Sequence, residues 1–153
     1  MKSFFFVISI FSYVGLFAQT KNTYQGFPSL VWPKLYDIQY EKAKDDLGEY
    51  EKPIFSAAAK SLAGKSVVLP GYMVPFDNGT KGTAFMLTSL PLNACFFCGV
   101  GGPESVVQVF LKKPITYTEK PVEVKGILVL NNKNPDQMIY ILEQAEFLGE
   151  IDF

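Results

Sequence analysis

The chain of 153 residues contains neither histidine nor arginine, because all of its 14 basic residues are lysines. Without histidine, Ser-His and Cys-His activation of a nucleophile is excluded, and so are histidine-ligated zinc and haem. Without arginine, the chain has no planar fork for bidentate contacts to phosphate or guanine. The formal net charge of −1 gives no basic surface for nucleic acid. We therefore expect neither a visible catalytic constellation nor a nucleic-acid partner.

The first 18 residues have the pattern of a signal peptide. Met1 and Lys2 form a short positive start, residues 4–17 are apolar, and Ala18 places a small residue before Gln19. The apolar run is shorter than the ~20 residues that span a bilayer, so we expect no membrane span after cleavage. The pattern predicts a signal peptide over 1–18, cleavage after Ala18 and a periplasmic or otherwise extracytoplasmic protein.

The chain has only two cysteines, Cys95 and Cys98, in a C-x-x-C spacing. Two thiolates at this spacing can face one metal ion in a knuckle, while a following glycine eases the turn around the sulfurs. Closed zinc sites need four ligands, so one knuckle is incomplete; soft thiolates also suit Cu(I). We therefore interpret the loop as a candidate site for zinc or copper. It comprises both cysteines and four neighbours: Phe96, Phe97, Gly99 and Glu104.

Two other interpretations of the cysteines stay open. A C-x-x-C pair with a lowered thiol pKa can exchange with disulfides, but thioredoxin-like pairs begin a helix, whereas glycines follow here. Alternatively, a disulfide between Cys95 and Cys98 stiffens the loop of a structural interaction protein, since exported thiols face an oxidising compartment. Exposed Phe96 and Phe97 would then favour an envelope protein partner.

The remaining chain divides into an extended N-terminal arm over 19–52 and a single β-barrel-like domain over 53–153 with its preceding helix. The only tryptophan, Trp32, is expected to anchor the arm to the core. A helix is predicted over 53–64, because Phe55, Ala59 and Leu62 fall on one stripe and Gly64 suits a left-handed C-cap.

Five strands follow, over 65–76, 83–89, 106–111, 122–130 and 138–147. Pro70-Gly71 predicts a bulge or a bend, and Gly126 predicts a bend. On the last strand, the spacing of Glu143 and Glu146 predicts opposite faces, so we expect no paired carboxylates there. The pattern indicates a mainly β (α+β) fold: a small OB-like five-stranded barrel, or a twisted antiparallel sheet with one N-terminal helix.

Three segments carry a resemblance to a known family: GYMVP at 71–75, AFMLTSLPLNACFFCG at 84–99 and PVEVKGILVLN at 121–131. They resemble an uncharacterised family of exported bacterial proteins, and the resemblance covers residues 32–147. It implies an envelope location, and it implies no reaction. Some relatives have a single cysteine followed by prolines, whereas this chain has Cys98 and glycines. We expect an exported soluble binding module that binds a soft or borderline metal, or docks on an envelope metal-handling or transport complex.

Overall fold

The computed structural model describes residues 26–45, 48–76, 79–91 and 101–152. Strands dominate these ranges, with only two four-residue α-helices and one 3₁₀ helix at Pro103–Ser105. Neither α-helix, nor any other helix in these ranges, has the length and apolarity to cross a membrane. In chain order the main elements are α1 (Trp32–Leu35), β1 (Ile38–Asp45), β2 (Gly48–Phe55), α2 (Ala57–Lys60), β3 (Ser66–Pro75), β4 (Lys81–Thr88), β5 (Val106–Thr116), β6 (Val122–Leu130) and β7 (Tyr140–Glu150).

Strands β3 to β7 form a closed barrel in the order β3-β4-β5-β7-β6, with β6 returning to β3. All neighbours are antiparallel except β5 and β7, which run parallel. This arrangement confirms the predicted small OB-like five-stranded barrel. Strand β6 has the predicted bounds, whereas β5 continues to Thr116 because its end pairs with the start of β4, Thr116 opposite Lys81.

The barrel interior is built from alternate residues of each strand, as a period of two requires. Gly126 on β6 lies where a Cβ would come within 2.7 Å of the Leu142 side chain on β7, so the glycine allows the two strands to approach. The register of β6 and β7 shifts beside it, which confirms the predicted irregularity. The inward side chains in the core cluster are Val67, Leu69, Met73, Phe85, Leu87, Val107, Val109, Leu111, Val122, Val124, Leu128, Leu142 and Ala145.

The Pro70-Gly71 pair marks a change of partner on β3. Residues up to Gly71 pair with β6 in unbroken register, and pairing with β4 begins at Tyr72. A Cβ on Gly71 would meet the carbonyl oxygen of Thr88 at 2.5 Å, so only glycine admits β4 this closely. The pair therefore makes a corner without a bulge.

Segment α1 closes the barrel beside the part of β3 that β4 does not reach. Trp32 and Leu35 are fully buried, and the Trp32 indole N–H donates to the Pro70 carbonyl at 2.7 Å. The Tyr140 hydroxyl donates to the Leu35 carbonyl at 2.6 Å. The predicted anchoring role of Trp32 is confirmed.

The predicted helix over 53–64 is shorter in the structure. Its first residues belong to β2, and α2 begins only after Ser56, whose hydroxyl accepts from the Ala59 amide at 3.1 Å. Gly64 does adopt the expected left-handed conformation, with φ of +72°. All three residues of the predicted stripe do contact the core: Phe55 and Ala59 belong to the core cluster, and Leu62 packs against it. Phe55, however, reaches the core from strand β2 and not from a helix.

Strands β1 and β2 pair with each other from Ile38 opposite Phe55 to Asp45 opposite Gly48. They form a two-stranded sheet separate from the barrel, referred to below as the hairpin. The sequence predicted an extended arm over 19–52, but not the pairing of two strands. The charged side chains of β2 hide its alternation, because most of them are exposed.

Candidate functional site at the base of the cysteine loop

The candidate residues lie on the connection between β4 and β5. Cys95, Cys98, Phe96, Phe97 and Gly99 are outside the described residues. The structure describes both ends of this connection, including the remaining candidate, Glu104. We call four residues at these ends the loop base: Ser89, Gly102, Glu104 and Ser105.

The loop base is held together by hydrogen bonds between its two serines. Ser89 and Ser105 are fully buried, and both the amide and the hydroxyl of Ser89 donate to the Ser105 carbonyl, at 3.0 and 3.2 Å. The amide and hydroxyl of Ser105 donate to the Gly102 carbonyl, at 2.9 and 2.6 Å. The two ends of the cysteine loop are therefore fixed side by side.

Two neighbours lie against the Glu104 carboxylate. The carboxylate occupies the space where a Cβ on Gly102 would lie, so a larger residue at 102 would displace this end of the side chain. The Tyr40 hydroxyl, from the hairpin, donates to Oε2 of Glu104 at 3.3 Å. The carboxylate therefore sits at the loop base with one oxygen already engaged.

The phenols around the loop base are neutral hydrogen-bonding groups. Burial raises the pKa of Tyr40, and the negative charge of Glu104 raises it further. Burial also raises the pKa of Tyr36, against a smaller lowering by the hydrogen bond that its hydroxyl shares with the Ser89 hydroxyl at 2.8 Å. Both side chains consequently stay protonated at neutral pH.

The outer face of β4 and β5, which binds ligands in OB-folds, is partly covered in this protein. Four of its outward residues are buried even though they point away from the barrel core, whereas Ala84, Phe110 and Lys112 on the same face are not. Two described segments lie over it: Phe27 packs on Tyr72 at 5.2 Å between ring centres, and the Met138 amide donates to Gln108 Oε1 at 3.2 Å. The buried outward residues are Met86, Thr88, Val106 and Gln108.

The prediction for Glu143 and Glu146 was wrong about their faces. Both are exposed, because Gln144 takes a positive φ of 48° and the register with β6 shifts there. Glu146 pairs with Lys112 at 2.8 Å, and that hydrogen bond lowers its pKa. Within the described ranges, no three acidic or cysteine side chains gather in a way that would hold a metal ion.

The fold and the loop base define an OB-like barrel that carries its candidate site on the β4–β5 connection. The family model described as "Protein of unknown function (DUF3299)" matches residues 30–147, and the chain belongs to this family. This membership confirms the prediction that the chain belongs to an uncharacterised family. The exported location and the GYMVP motif stay predictions.

One solved structure is also similar to this chain. The crystal structure of a DUF3299 family protein from Pseudomonas aeruginosa PAO1 is 22% identical, with a TM-score of 0.44, over 61% of this chain and 67% of that chain. Among curated proteins, none matches the chain.

Proposed function

We propose that this protein is an exported binding module that holds a soft or borderline metal ion, zinc or Cu(I), at Cys95 and Cys98, with Glu104 as an oxygen ligand. In this role it passes the ion to, or docks on, an envelope complex for metal handling or transport. The signal-peptide pattern over 1–18 supports export.

The observation that carries the proposal is the position of Glu104. Its carboxylate lies over Gly102, at the base of the segment that contains both cysteines, and accepts a hydrogen bond from the Tyr40 hydroxyl at 3.3 Å. Thiolates suit zinc and Cu(I), and a carboxylate oxygen is a common additional zinc ligand. The ends of the loop are also pinned through Ser89 and Ser105, which lowers the entropy lost when the loop closes around an ion.

Native mass spectrometry of the exported protein, purified without chelator or reductant, tests the proposal. The expected result is one bound metal, lost in Cys95→Ser and Cys98→Ser and weakened in Glu104→Gln. Glu143→Gln is the matched control, because it removes an exposed carboxylate from the barrel surface. The same spectra give the mass of the mature chain, which should correspond to cleavage after Ala18.

The other outcomes point to the alternatives. A metal-free mass lighter by two hydrogens, with no uptake of zinc or Cu(I) after reduction, contradicts metal binding and indicates a disulfide between the cysteines. The reduction potential of that bond then separates a labile redox pair from a structural disulfide, because structural disulfides resist reduction by glutathione.

A further inference from the structure

We draw no further inference here: the strongest candidate, the outer edge of strand β1 on the hairpin, pairs with no other strand of the described residues besides β2, and nothing in the structure shows what covers it.

Discussion

Replacing Trp32 by phenylalanine tests whether α1 closes the barrel. Trp32 is fully buried, and its indole N–H donates to the carbonyl of Pro70 at 2.7 Å. Phenylalanine keeps an aromatic ring in the site but removes this donor. The variant also removes the only tryptophan, so unfolding must be followed by circular dichroism rather than tryptophan fluorescence.

The expected loss has two parts. A buried carbonyl that loses its donor costs about 1–3 kcal/mol. A residual cavity of about 40 Å³ adds ~1 kcal/mol at roughly 24 cal/mol per Å³. The sum is a decrease of about 2–4 kcal/mol in the free energy of unfolding, which corresponds to a melting temperature lower by ~6–12 °C in a chain of this size.

Thermal and urea unfolding of Trp32→Phe, with Leu30→Ala as control, measure this decrease. Leu30 is 88% exposed two positions away, and its truncation should change stability by less than about 0.5 kcal/mol. A Trp32→Phe variant that unfolds at the wild-type temperature would refute the reasoning. It would mean that the N-terminal segment does not contribute to the cooperative fold.

Two further predictions concern alkaline pH and the β6–β7 loop. Burial raises the pKa values of Tyr36 and Tyr140 above 10.0, so the folded state keeps protons that the unfolded state releases; stability is full below about pH 10 and falls as the pH rises above it. Urea unfolding across this range should show a shallower fall for Tyr140→Phe than for wild type, whereas an equal slope would exclude Tyr140 as a cause. The side chain of Asn131 holds the β6–β7 loop: its Nδ2 donates to three loop carbonyls, and its Oδ1 accepts from two loop backbone amides. Asn131→Ala should therefore cost about 1–2 kcal/mol by urea unfolding, and Asn132→Ala, at an exposed position, almost nothing; equal effects of the two would contradict the role of Asn131.

The burial of Trp32 also bears on how this barrel is closed. Both α-helices of the described residues precede the first barrel strand, and α1 packs beside β3. The connection between β5 and β6, over residues 117–121, is left short. Segment α1 is thus part of the closed structure and not an appendage.

Several elements could be predicted because their signal is local. Strand β6 alternates valines with charged residues, and its bounds follow from that pattern alone. The adjacent sequence also indicated the left-handed conformation of Gly64 and the special position of Gly126 within its strand. The second strand of the hairpin was not predictable in this way, since only Phe55 among its residues is buried and no alternation marks a buried face.

The contacts that make the candidate site were beyond prediction because they join distant parts of the chain. Tyr40 meets Glu104 across 64 positions, and Tyr36 meets Ser89 across 53. One positive φ at Gln144 was enough to reverse the expected face of Glu146. A single added residue shifts every later side chain to the other face of a strand, and composition does not reveal it.

By itself, the sequence determined which chemistry is absent, which segments form barrel strands and which residue anchors the arm. These properties depend on residue type and on short-range alternation, both of which are visible in the chain. Only the tertiary structure decided that the barrel closes in the order β3-β4-β5-β7-β6, that the hairpin reaches the loop base and that Glu104 is held there. The physical reason is that closure and register are set by packing among strands far apart in sequence, which no local pattern encodes.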